Sequence, residues 1–134
     1  MEHKTKLAIE QLRRFKDEEP SFCDYIFDKI RFYTELAELE ISQGNLDEIG
    51  KLMNINQKLL AALNLSNDSI NEIIHIANEN GAYGSKLTGA GLGGCVISIG
   101  TEDHLEEISQ ILNKKGFNSL IANIDKEGVI IERK

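Results

Sequence analysis

The segment Lys86-Leu87-Thr88-Gly89-Ala90-Gly91-Leu92-Gly93-Gly94-Cys95, followed by Val96-Ile97-Ser98-Ile99, constrains this chain more than any other. Half of the segment is glycine or alanine, so its backbone is what it presents. Each glycine costs conformational entropy on folding and gives the core no side chain. Glycines this dense between two strand-like runs imply that something approaches the backbone closely. Successive unshielded N–H groups suit a phosphate or another anion. The pattern is not a P-loop, for no Gly-Lys-Ser/Thr follows, and it is not a dinucleotide fingerprint, because a strand comes after the glycines. Two readings stay open: a ligand loop, or a tight glycine hairpin that bends a sheet.

The flanking sequence predicts helices before the loop and a mixed tail after it. Leu7, Ala8, Leu12 and Phe15 recur at helical spacing from Thr5 to about Lys16, with Thr5 as N-cap. Pro20 suits the first position of a second helix, which carries Phe22, Ile26, Ile30, Tyr33 and Ala37 along one side and stops at Gly44. Asn45 with Glu48 has capping-box spacing for a third helix, striped by Ile49, Leu52, Met53, Leu59 and Leu60 and running to about Leu63. After the turn Leu65–Ser69, the residues Ile70, Ile73, Ile74 and Ala77 mark a fourth helix ending at Asn80-Gly81. Tyr83–Leu87 and Cys95–Ile99 read as strands around the glycines. Thr101 caps a fifth helix, acidic at its start and basic before Gly116. Leu120–Ile124 and Val129–Glu132, joined by a turn at Asp125–Gly128, read as a hairpin. The order implies an α+β layer: a four-stranded, mostly antiparallel sheet covered by helices on one face.

Length and charge narrow the classes. At 134 residues the chain is expected to be a single domain over 1–134. With 22 acidic against 15 basic residues, its net charge of −7 opposes nucleic acid and anionic membranes as partners. Its apolar runs fall short of the roughly 18 residues of a membrane span and its start lacks a signal-peptide core, so a cytoplasmic location is expected. Cys23 and Cys95 lack metal-ligand spacing and read as buried, reduced thiols. His75 and His104 have no companion ligands at helical spacing, which argues against a metal site.

Three residues outside the glycines stand out. Lys86 is either a solvated surface charge or a point charge beside an anion-accepting loop. Thr88 can donate its hydroxyl to a phosphate oxygen or close the turn. Asn56 lies on the apolar stripe of the third helix, where an unsatisfied amide would cost on the order of 1–3 kcal/mol, so it is either a bonded core amide or a cleft residue. No catalytic base, nucleophile pair or paired carboxylates can be identified.

Lys86-Leu87-Thr88-Gly89-Ala90-Gly91, then Gly93-Gly94-Cys95, resembles the third signature motif of the GHMP kinases, in the form most like that of mevalonate kinases. Leu52–Leu60, Leu63–Ser66 and Asn80–Ser85 are similar to the same family's approach to the motif, and Asp125 with Gly128-Val129 fits its final hairpin. The resemblance therefore runs from about Thr5 onward. It implies a C-terminal GHMP domain with a ferredoxin-like antiparallel sheet. It also implies a cleft, shared with an N-terminal domain, in which ATP, Mg²⁺ and a mevalonate-like alcohol meet. The phosphate and substrate loop would be Lys86, Thr88, Gly89, Ala90, Gly91, Leu92, Gly93 and Gly94, with Asn56 near the cleft.

Leu92 departs from the glycine found in many mevalonate kinases, and it would be strained if that position needs positive φ. The family's Gly-Ser-Ser run, and the Asp and Lys assigned to chemistry, belong to the N-terminal domain and match nothing here. The expectation is the C-terminal half of a mevalonate kinase-like enzyme of isoprenoid biosynthesis, inactive without its partner domain. The alternatives are another GHMP kinase, such as phosphomevalonate kinase, and a binding or regulatory module with this fold. The uncovered cleft face would favour self-association.

Overall fold

The computed structural model describes residues 2–123. Its elements in chain order are α1 (Glu2–Glu18), α2 (Pro20–Gln43), α3 (Leu46–Ala62), α4 (Asp68–Glu79), β1 (Gly84–Thr88), β2 (Cys95–Ile99) and α5 (Glu102–Lys114). Local chemistry sets most of the boundaries. Pro20 opens α2, and Gly44, left-handed at φ 73°, closes it. Asn67 Oδ1 accepts from the Ile70 N–H at 2.9 Å to cap α4, and Thr101 Oγ1 accepts from the His104 N–H at 3.4 Å to start α5.

Two of the expected caps do not form. Helix α1 begins at Glu2, so Thr5 lies inside it; no Gly or Pro breaks the chain between them. Asn45 precedes α3 without a side-chain cap bond. Its amide donates instead to Glu40 Oε2 at 2.7 Å, while Glu48 pairs with Lys51 at 2.7 Å. Both halves of the box are thus engaged elsewhere by charged partners.

β1 and β2 pair antiparallel from Gly84↔Ile99 to Thr88↔Cys95. Ser85 and Leu87 share one face with Ser98 and Val96. Leu87 is buried there against Ile70 and Ile74 of α4, together with Ala8, Cys23, Ile26 and Leu63. A second cluster joins Ile76 and Ala77 of α4 to Ile108 and Leu112 of α5. Each such fully buried aliphatic side chain contributes about 1.5–3 kcal/mol.

Lys86 and Ile97 lie on the opposite face and line a groove with side chains of α2 and α3. Helices therefore reach both faces of the sheet, where one covered face was expected. Among the described residues the sheet has two strands. The expected tail hairpin lies outside the described residues apart from Leu120–Asn123, which has no regular secondary structure. Cys23 is buried as expected, but Cys95 is exposed, because its place at the loop end of β2 turns it from the core. No helix among the described residues is long and apolar enough to cross a membrane.

Candidate functional site

The glycine loop hangs from β1, and β1 is held by α3. Gly50 of α3 meets Gly84 backbone to backbone, so closely that a Cβ on either would overlap the other's main chain or that of Tyr83. A mid-helix glycine costs about 1 kcal/mol relative to alanine, and the close approach of strand and helix is what requires it here. One turn on, Asn54 Oδ1 accepts from the Ser85 N–H at 3.0 Å and from Asn78 Nδ2 at 3.0 Å. Another turn on, Gln57 Oε1 accepts from the Leu87 N–H at 2.9 Å. Gln57 is buried, and its Nε2 donates to Ser66 Oγ at 3.1 Å.

Helix α3 thus runs alongside β1 and supplies acceptors to the amides that point away from β2. A buried amide without an acceptor would cost about 1–3 kcal/mol, and an unprotected strand edge would invite other chains.

The loop continues this seam. The Leu92 N–H donates to Leu65 O, in the turn after α3, at 2.8 Å. Gly91 is packed against the same residue: a Cβ there would stand 2.5 Å from Leu65 O. At this position the visitor that glycine admits is the chain's own backbone. Ala90 and Leu92 are half-buried and pack on the main core.

Leu92 sits at φ 55°, the left-handed conformation its departure from glycine put in question. That conformation costs a leucine about 1–2 kcal/mol. The hydrogen bond to Leu65 and the packing of its side chain offset the cost.

Among the described residues the other side of the loop is bare at Gly89 and nearly so at Gly94. Gly89, at φ 86°, is exposed, and a Cβ there would meet nothing within 4 Å. Gly93 and Gly94 take φ of 141° and 129°, and a Cβ on Gly94 would find only Thr88 O, at 3.6 Å. Thr88 is exposed at the end of β1. This side, at Thr88, Gly89 and Gly94, has main chain left uncovered among the described residues, which an anion could approach.

Lys86 is not on that side. It lines the α2–α3 groove with Asn56, and its Nζ donates to Leu87 O at 3.0 Å. Burial holds its ammonium below the usual lysine range. Asn56 is half-buried in the same lining. The structure therefore brings Lys86 and Asn56 together and separates both from the bare glycines. Asn54, Gln57 and Leu65, which position the loop, were not singled out from the sequence. Among the described residues no three His, Cys, Asp or Glu side chains gather as metal ligands.

A strand, a glycine loop pinned on one side and bare on the other, and a returning strand, all carried by a helical layer, match a known class. The family described as GHMP kinases C terminal matches residues 35–118, and the chain belongs to that family. The relatives it matches include mevalonate kinases. The enzyme of Thermococcus gammatolerans is 36% identical over 96% of this chain and 40% of its own length. That of Pyrococcus abyssi is 34% identical over 96% and 39%. The chain thus spans about two-fifths of the length of these curated relatives. Among solved structures, L. major mevalonate kinase in complex with R-mevalonate superposes with a TM-score of 0.78 at 26% identity, covering 83% of this chain and 34% of that one. The Methanococcus jannaschii mevalonate kinase gives 0.65 at 33% identity, covering 82% and 32%.

Proposed function

We propose that this chain is the C-terminal half of a mevalonate kinase-like enzyme, a single domain over 1–134 that acts with a separate nucleotide-binding N-terminal domain. On this reading the tail beyond the described residues completes a four-stranded ferredoxin-like sheet, and the loop forms one wall of the phosphoryl-transfer cleft. The observation that carries it is the bare side of the loop: at Gly89 a Cβ would meet nothing within 4 Å, in a chain of this family. ATP, when bound, supplies the phosphoryl group, and Mg²⁺ neutralises its charge.

The residues of this chain that fit the phosphates are the main-chain N–H groups of Gly89, Gly93 and Gly94 and the hydroxyl of Thr88. Their part is positioning and fixed dipoles around developing charge. Ligands for Mg²⁺ and the groups that move protons would come from the N-terminal domain, so the chain alone is inactive. A mevalonate-like alcohol would enter between the two walls.

Mixing this chain with an N-terminal domain of a mevalonate kinase, and following ADP release on adding mevalonate, tests the proposal. The expected result is mevalonate-dependent ADP from the mixture and none from either part. An N-terminal domain that is competent with its own C-terminal half and silent with this one would contradict it. Release on phosphomevalonate instead would retain the kinase and change its acceptor.

A further inference from the structure

The groove on the far face of the sheet has a volume of about 310 Å³, at the small end of ligand-binding cavities. Its floor is Leu52 and Met53, both buried, and its rims are Ile41 and Ile97, which stay 63% and 47% exposed. Large aliphatic side chains left open on both rims of one concave surface are unfavourable unless something covers them.

Among the described residues, Lys86 is the one charged residue in the lining. Among the described residues its Nζ finds one hydrogen-bond partner, Leu87 O, although an ammonium carries three donors. None of the ion pairs among the described residues includes it. A half-desolvated cation on an apolar floor is costly, and the strongest available compensation is an oxyanion that brings a charge-assisted hydrogen bond. Asn56 adds an amide donor to the same lining. The groove is therefore complementary to a molecule with an anionic head and a short apolar tail, and to neither a cation nor a plain hydrocarbon.

We infer that the groove between α2, α3 and the far face of the sheet is a binding site for a small amphipathic monoanion, a short-chain carboxylate whose head meets Lys86 and Asn56 and whose tail lies on Leu52, Met53, Ile41 and Ile97. None of the loop glycines lines the groove, so binding here needs neither a nucleotide nor a second domain. Failure of the kinase reading would leave the site untouched.

The chain contains two methionines, Met1 and Met53, and Met53 lines the groove, so ¹³C-methyl methionine labelling gives a reporter in the groove floor. Octanoate, octylamine and 1-octanol are titrated into the whole chain. Octanoate is expected to shift the Met53 methyl saturably. Octylamine and octanol are expected to bind at least about tenfold more weakly, the factor that one charge-assisted hydrogen bond supplies. Lys86→Gln should weaken octanoate by about tenfold and leave octanol unchanged. Should Lys86→Gln fail to fold, Asn56→Asp, which places a negative charge in the lining, is expected to weaken octanoate while sparing octanol. Equal affinity for all three probes, undiminished octanoate binding in either folded variant, or no saturable shift up to about 10 mM octanoate would overturn the inference.

Discussion

Gly91 and Gly89 have nearly the same φ, 85° and 86°, yet opposite surroundings: a Cβ at Gly91 would stand 2.5 Å from Leu65 O, and one at Gly89 would meet nothing within 4 Å among the described residues. The same residue type is thus required twice for different reasons. At Gly91 it lets the loop lie against the turn that follows α3. At Gly89 it leaves main chain uncovered. The comparison extends along the molecule, because the pinned side belongs to a seam that begins at Gly50 and Gly84 and runs through Asn54 and Gln57 to Leu65. The bare positions, Gly89 and Gly94, lie on either side of the seam's last contacts at Gly91 and Leu92.

Alanine substitution along the seam should therefore cost stability, most at its tightest point. Gly84→Ala forces a Cβ into the Gly50 backbone, and a loss of about 3 kcal/mol or more is expected in urea denaturation, up to failure to fold. Gly91→Ala combines a left-handed alanine with overlap on Leu65 and should cost about 2–4 kcal/mol, whereas Gly89→Ala, with the conformational cost alone, should cost about 1 kcal/mol. Equal losses for the two would erase the distinction drawn here. Gln57→Ala leaves the buried Leu87 N–H without its acceptor; a loss of about 1–3 kcal/mol and faster hydrogen exchange at the Leu87 amide are expected.

The smallest effect concerns Lys86, whose folded pKa is held below the ordinary 10.5 by burial. Between the lowered folded value and 10.5 the unfolded chain binds more protons than the folded one, so this lysine makes stability rise with pH across that window. Below the folded pKa its full cost is present. Urea midpoints for wild type and Lys86→Met should therefore converge as pH approaches 10.5. A constant gap between them would contradict the burial of the ammonium.

The sequence made the local parts of this arrangement legible and the distant parts not. Pro20, Asn67 and Thr101 act on their own helix ends, within a few residues, and the expected starts of α2, α4 and α5 follow. Leu92 stood out because a glycine is expected there, and its positive φ is observed. Asn54 and Gln57 were passed over because their acceptors serve amides 31 and 30 residues away. Helical periodicity alone could not choose among the three amides Asn54, Asn56 and Gln57, which together span one turn of α3. The available signal was Gly50, a glycine inside a helix with Asn54 one turn later, which marks a face meant for close approach.

The surroundings of Lys86 are not legible in the sequence for a related reason. Strand alternation places it on the face opposite Leu87, and only the path of α2 and α3 decides what lies there. The placement of the loop was legible, but the division of its glycines into pinned and bare was not, because Leu65 comes from a different part of the chain.

The most direct test of that division is the activity of Gly89→Ala in the mixture with an N-terminal mevalonate kinase domain, at a temperature where the variant is folded. If the bare side of the loop faces the phosphates, the added Cβ holds them off the main-chain N–H groups, and mevalonate-dependent ADP release should fall about 100-fold, the scale of losing one well-placed main-chain donor, while stability falls by only about 1 kcal/mol. Wild-type turnover by a folded Gly89→Ala variant would contradict the account.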